Sequence, residues 1–494
     1  MKPPHIRATF PSMPRFFLIL PLLLALAAGC GSHSSSPELI ILQTGRIFGN
    51  VYPLDTKSIA PLQHYPYLAG YVKKIRQEAA ASGAQVLLID SGDSLGGSFA
   101  SHATHGANMV RFFNQLGYDA VLLGNLDASV DPAILAQLRM PVLVPFQKED
   151  GTSPLPNTSA ALSLPKGPLT VRLMANFYGD TASSEFPHRF PVWFGAVPRG
   201  IQPVRDYEAF LNAPLPAGSI PVTLFHWMKF EPSAIPPSFV EKLKTDGVDA
   251  ILAHRIYNSG VRDTWERQTL DQWPVPVSEN ILRQNGGFTI ARLDLARKGG
   301  KWAPVAPSTL VQMNANTAPA DPDIIREINL LAPTIKSADE TLATLDKTLL
   351  EDQILPAYMK MLAARFKADT VLFSTGAIRS ELPSGPLTAN RLYASLPWNN
   401  PLVFVRLDAT QAAQAATMSG HAVLRKSGAG APTRLLTSLF FARLLQDQFH
   451  LPDQALEIIP GSNEFENAKA MVKASPSSLA DASIPEGWSY ATAP

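Results

Sequence analysis

The sequence predicts an α/β protein with two unequal folded units behind a short export segment. Three observations carry that expectation. From Leu39 onward, short β-rich apolar runs alternate with stretches of helix-period apolar spacing. The alternation breaks at a polar, proline-containing stretch, residues 314–322, and resumes beyond it. The chain has 494 residues, 46% hydrophobic and 17% charged, which is enough for two or three cores. It is too apolar for a disordered chain and too polar for a multi-span membrane protein.

Lys plus Arg number 42 and Asp plus Glu 41, a net charge of +1. Such a balance gives no general attraction to nucleic acid or anionic lipid, so no nucleic acid partner is expected and others must be argued from sites.

At the N-terminus, Lys2, Arg7 and Arg15 precede or border the apolar run 16–28, which is too short to span a bilayer comfortably and has the character of a signal peptide. It ends in Leu26-Ala27-Ala28-Gly29-Cys30, and Cys30 is the only cysteine. Small residues before a lone cysteine resemble a bacterial lipoprotein cleavage site. That resemblance implies lipid on Cys30, membrane attachment through the lipid, and a place in the cell envelope facing the periplasm or the exterior. An ordinary secretory signal cut near Ala28 is the alternative. With no second cysteine there is no disulfide and no thiolate metal ligand. The expected organisation is a signal peptide at 1–29, a flexible tether at 30–38, a first domain at 39–315, a linker helix within 316–345, a second domain at 346–475, and a loosely ordered tail at 476–494.

In the first domain, 40–42, 86–89, 120–123, 142–144, 222–225 and 250–253 read as buried strands, and 66–81 and 106–116 as helices. The Pro- and Gly-rich stretches 151–168 and 196–221 read as loops or insertions. A closing hairpin is expected over 290–295 with its turn near Lys301 and Trp302. Asp321-Pro322 offers a helix N-cap and an early proline. The second domain should hold a helix near 351–366 and strands at 370–373 and 402–408.

Three segments stand in a telling order: Gln43-Thr44-Gly45-Arg46-Ile47-Phe48-Gly49, then Asp90-Ser91-Gly92-Asp93, then Gly124-Asn125-Leu126-Asp127. They resemble the opening motifs of the 5'-nucleotidase branch of the calcineurin-like metallophosphoesterases. The resemblance implies a four-layer sandwich followed by a smaller α/β C-terminal domain, and a centre of two divalent metals such as Mn or Zn. Such a pair, ~3.5–4 Å apart, orients a phosphate and generates hydroxide. By register, the ligand positions matched here are Asp93, Asn125 and His226. Arg46 and Phe48 stand where the family has Asp and His, Leu126 where it has His, and Arg255 and Tyr257 where it has its closing pair of His; a one-residue slide would bring in His254 alone. A guanidinium beside a divalent cation opposes its binding, so Arg46 is expected to pair with Asp93 or Asp127 and no metal cofactor is expected. Taken singly, Asp93, Asn125 and His226 also read as turn and strand-end residues.

The segment 373–383, with Gly376-Ala377-Ile378-Arg379, is followed by Gly385-Pro386-Leu387-Thr388 and Leu396-Pro397-Trp398-Asn399-Asn400. It resembles the 5'-nucleotidase C-terminal domain. The resemblance implies that Arg379 contacts a nucleotide and Trp398 stacks on its base, with Phe440 as a second aromatic. Ser374 replaces an expected Asn, and 443–447 replaces a glycine run. The bland alternative makes Trp398 and Phe440 core aromatics and pairs Arg379 with a carboxylate. The function expected is that of an exported lipoprotein, catalytically impaired, that retains nucleotide or nucleoside binding. The alternatives are an active phosphoester hydrolase with an altered metal set, and an envelope structural protein with a protein partner.

Overall fold

The computed structural model describes residues 36–47, 64–124, 132–148, 157–178, 207–229, 247–255, 277–280, 288–418, 420–427 and 434–492, together with 49, 127, 130, 150–153, 155, 202–204 and 245, save that 154 and 156 fall outside. At 176–178, 202–203, 226–229, 254–255, 277–280 and 478 only the backbone is described. Cys30 and most of its tether, Phe48, Asn125, Leu126 and Tyr257 therefore lie outside the described residues, and so do the side chains of His226, His254 and Arg255.

Two sheets face each other in the first domain. The larger runs in the order Lys301–Pro304, Thr289–Lys298, Leu39–Thr44, Gln85–Asp90, Ala120–Leu122, Val142–Leu143, Thr158–Ser159, with Thr309–Gln312 added against Thr289–Lys298. Its four central strands, 39–44 to 142–143, pair in parallel. All six residues of Leu39–Thr44 are buried, as a two-sided parallel strand demands. The smaller sheet runs Val277–Asn280, Ala250–Arg255, Ile220–Lys229, Leu169–Tyr178, Ala161–Lys166. The core between the sheets contains Ile41, Leu87, Val171 and Leu224. Helix His64–Ser82 buries Leu68, Val72 and Ile75 against the larger sheet, and Ala107–Leu116 buries Met109, Val110 and Phe113 beside it. The second helix ends at Gly117, whose left-handed φ of 64° lets its N–H return to Phe113. Met174, Phe225 and Ile251 on the far face of the smaller sheet pack with Tyr207, Phe210 and Leu211. Helix, two sheets and the segment 207–211 stack as a four-layer sandwich.

Asp321 caps the connecting helix Pro322–Ile335, its side chain accepting from the N–H groups of Asp323 and Ile324. The second domain is a six-stranded sheet ordered Leu456–Asn463, Pro401–Arg406, Arg434–Ser438, Thr370–Ser374, His421–Lys426, Trp488–Thr492. Helices Glu351–Phe366 and Glu464–Ala474 cover one face with Tyr358, Leu362 and Phe465, while Leu439–Gln448 covers the other with Ala442 and Leu445. Among the described residues, no helix is long and apolar enough to cross a membrane.

Four expectations need correction. The 151–168 stretch contains strands at 158–159 and 161–166; the latter pairs with Leu169–Tyr178 through a tight turn at Gly167. Pro165 is tolerated because this is an edge strand. The linker ends in a strand, Thr341–Leu345, paired with Gly385–Thr388. The tail is ordered: Leu479 is buried and Trp488–Thr492 covers the edge of His421–Lys426. His226 does not end its strand, which runs on through Lys229 with His226 opposite Leu252. Neighbouring backbones extended that strand further than its own apolar run suggested.

Gly70 lies on the face of helix His64–Ser82 turned toward the connecting segment, where a Cβ would strike the carbonyl of Pro319. Backbone cannot yield as a side chain can. Gly70→Ala should therefore destabilise the protein by about 1–3 kcal/mol. A thermal midpoint at or above wild type would contradict this packing.

Candidate functional site

Three loops leave the C-terminal ends of parallel strands 39–44, 85–90 and 120–122 and meet side by side, which is where open α/β sheets place their ligands. Chain geometry, rather than any one contact, brings Arg46, Asp93 and Asp127 together there. Arg46 N–H donates to Gly92 O at 2.8 Å, and Ile47 N–H to Ser94 Oγ at 3.3 Å. Arg46 and Asp93 both adopt left-handed φ, 54° and 55°. Gly124 explains how such a turn fits: a Cβ at 124 would collide with the Asp93 carboxylate and backbone.

Asp127 is the residue on which these loops close. Its carboxylate accepts from the N–H groups of Asp93 (2.9 Å), Leu95 (2.7 Å), Gly96 (3.3 Å) and Gly124 (2.7 Å). Burial and the neighbouring Asp93 push its carboxyl well up from the usual range, while the bonds from Gly124 and Leu95 oppose that by favouring the anion. Asp90, also buried, accepts from Thr44 Oγ1 at 2.6 Å, Ser94 Oγ at 2.9 Å and Gly92 N–H at 2.9 Å. Burial raises it to about 7 in spite of those donors. Gln43 Nε2 reaches Ala253 O at 2.9 Å and ties this sheet to the smaller one beside the strand carrying His254 and Arg255.

Arg46 is partly buried, and burial is the largest influence on it, lowering its pKa; the charge of Asp93 raises it and that of Arg379 lowers it again. Asp93 is thus the anion that supports this guanidinium, and Asp127 is committed to backbone. Arg379, from the other domain, lies within electrostatic reach of the same cation.

In the second domain, Ser374 Oγ accepts from Gly376 N–H at 3.0 Å and turns the chain, and Arg379 N–H donates to Ser395 O at 2.8 Å. The Arg379 guanidinium then lies over the Trp398 ring, 4.9 Å from its centroid, a cation–π contact worth ~0.5–1 kcal/mol at an exposed site. The Trp398 loop is pinned by Asn400, whose backbone N–H and Nδ2 donate to Glu464 Oε2 at 3.1 and 2.7 Å. Burial raises Glu464 to about 7. Phe440 is half-buried and packs edge-on against Phe441, 5.0 Å between centroids; Phe441 in turn meets His421 at 4.9 Å. Phe440 thus has an intradomain partner, and the structure adds nothing that turns it to a ligand.

The domains are joined close by. Phe99 is 3% exposed and belongs to the second domain's core, edge-on to Tyr393 and Phe465. His102 stacks on Tyr393 at 5.1 Å and meets Glu466 Oε1 at 2.9 Å. Sequence reading missed Gln43, Asp90, Phe99, His102 and the capping role of Asp127. The one available signal was the carboxylate three residues after Gly124, a spacing that suits an Asp folding back on its own turn.

Asp90 fixes a pH dependence. Its folded pKa lies above its unfolded value of 3.8, so its contribution to stability is present below about pH 4 and is lost as pH rises to about 7. Glu464 behaves with the same sign, so the informative quantity is a difference. Asp90→Asn should lose less stability than wild type between pH 4 and 7 in denaturant titrations. Parallel profiles would show that Asp90 does not titrate there.

No family model matches the chain. Among curated proteins it is 33% identical over 156 residues to a snake venom 5'-nucleotidase from Gloydius brevicauda, covering 29% of this chain and 26% of that one. It is 30% identical over 159 residues to a human 5'-nucleotidase, covering 30% and 27%. The chain thus matches about a quarter of the length of these relatives. Whole-length likeness comes from solved structures. A 5'-nucleotidase precursor from Thermus thermophilus superposes with a TM-score of 0.60 at 16% identity, covering 88% of this chain and 96% of that one. A 5'-nucleotidase from Candida albicans gives 0.57 at 11%, covering 89% and 98%. Over nearly its whole length the chain has the fold of these 5'-nucleotidase structures, and a segment of it is similar in sequence to curated 5'-nucleotidases.

Proposed function

We propose that this protein is an envelope lipoprotein that binds a nucleoside or nucleotide between its two domains and does not hydrolyse it. The observation that carries the reading is Arg46 beside Asp93. A two-metal centre needs a ring of carboxylate, imidazole and amide ligands around two divalent charges. Here the guanidinium takes the place of one carboxylate and neutralises another. At ~4 Å it repels a cation by about 4 kcal/mol per unit of cation charge at the effective dielectric of a protein site. Phe48, Leu126, Arg255 and Tyr257 withdraw further ligands. Asp127 is already engaged by four backbone N–H groups. The residues present do not fit two divalent metals, and no step of a reaction is routed through them.

Binding is supported by Arg379 and Trp398, which form one surface of guanidinium and indole. An indole offers a stacking face worth ~1–3 kcal/mol per base. The lipoprotein part of the reading is supported by the apolar run ending at Cys30.

After mild purification the protein should hold no stoichiometric Mn or Zn and should release no phosphate from AMP when Mn is added. A full complement of metal with manganese-dependent turnover would establish the hydrolase instead.

Cys30→Ala should leave an unprocessed precursor or release the protein from the membrane fraction. Unchanged mass and fractionation would remove the lipid anchor from the reading.

A further inference from the structure

We propose that the second domain carries a small-molecule site of its own, in the groove between helix Glu351–Phe366 and the tail strand Trp488–Thr492, and that this site takes an aromatic carboxylate. It shares no lining residue with Arg46, Arg379 or Trp398 and does not depend on the nucleoside reading.

The groove follows from residue spacing. Lys360, Ala363, Ala364 and Lys367 recur at helical intervals and form one stripe along the end of the helix. The two alanines are too short to fill the space between helix and sheet. Leu424 and Lys426, two residues apart, lie on one face of strand His421–Lys426. Trp488 stands directly opposite Lys426 on the neighbouring strand. Together they line a cavity of about 300 Å³, enough for a small ligand. Its walls are fixed. Lys360 Nζ donates to Asp481 Oδ2 at 2.7 Å, Asp481 O at 2.6 Å and Ser483 O at 3.2 Å, which clamps the tail against the helix. Beyond that clamp the Trp488 N–H returns to Pro485 O at 3.0 Å, and the Lys426 N–H donates to Asp369 O at 2.9 Å.

The lining is apolar below and cationic at the rim. Ala363, Ala368 and Leu424 are buried, and Trp488 is half-buried beside them. Lys367 and Lys426 are exposed, and among the described residues neither forms an ion pair. Lys360 is committed to Asp481. Asp369 is the acid on this lining and pairs with neither free lysine, so two positive charges face one negative and a single positive charge is left over. A planar ring against the indole and the alanine floor, with its carboxylate within reach of the two ammonium groups, answers both halves of the lining. An aromatic cation would be repelled at the rim. Inorganic phosphate would leave the apolar floor uncovered.

The test is calorimetric titration of the full-length protein, in detergent, with indole-3-acetate, tryptamine, acetate and inorganic phosphate. Indole-3-acetate should bind. Tryptamine, which keeps the ring and inverts the charge, should not, and the two small anions should give no heat. Lys367→Asn and Lys426→Gln should each weaken indole-3-acetate up to about fivefold, and the double variant about tenfold or more. Asn tolerates the left-handed backbone at Lys367, φ 51°, and both lysines are exposed, so neither change strains the fold. Ala364→Phe, on the exposed side of the helix, should fill the groove and abolish binding without removing a charge. Excess adenosine should not displace indole-3-acetate. No indole-3-acetate binding at millimolar concentration, tryptamine binding as tightly, unchanged affinity in the double lysine variant, or displacement by adenosine would overturn the proposal. Phosphate binding alone, lost in the lysine variants, would make the groove an inorganic anion site and overturn it as well. Titration with adenosine by itself tests the nucleoside reading, so the two fail separately.

Discussion

The Asp127 carboxylate is the constraint on which the site depends. Four backbone N–H groups from two loops, at 2.7 to 3.3 Å, converge on it in the buried interior of the first domain. Each N–H would otherwise be buried unpaired at a cost of about 1–3 kcal/mol. One acidic side chain therefore fixes the shape of the turns after two parallel strands. Those turns set the left-handed backbone at Asp93, which in turn requires Gly124. Arg46 is held by the same frame through Gly92. What looks like an isolated substitution in the first loop is geometrically tied to the second and third.

Electrostatics then separates scaffold from chemistry. Three acids, Asp90 and Asp93 at the end of one strand and Asp127 in the loop after the next, meet different fates. Asp127 is satisfied by backbone and Asp90 by hydroxyls and one N–H, while Asp93 supports a guanidinium. Burial, with a smaller contribution from the charge of Asp93, is the physical cause of the raised pKa of Asp90. The geometry of these loops rests on backbone hydrogen bonds to Asp127 rather than on the Arg46 side chain.

The second domain contributes position as much as contact. Its Trp398 loop is anchored by Asn400 on Glu464, and two residues along the same helix Glu466 meets His102 of the first domain. One helix thus carries both the support for the aromatic surface and the bond across the interface. Phe99 makes that interface part of a hydrophobic core. Removal of so large a buried side chain typically costs about 3–5 kcal/mol.

The sequence by itself determined the alternation of elements, the break near residue 320, the strand-loop motifs and the Arg379–Trp398 segment, because these are set by local periodicity and turn chemistry. Asp321-Pro322 marked its helix start because capping acts within one turn. Only the tertiary structure decided that Asp93 serves Arg46 while Asp127 serves backbone, since both choices were open to a chain read in one dimension. It alone showed that the tail closes a sheet edge, that His226 lies inside its strand, and that Phe99 enters the core of the second domain. Each of those facts joins residues far apart in sequence, through pairing or packing that no local pattern encodes.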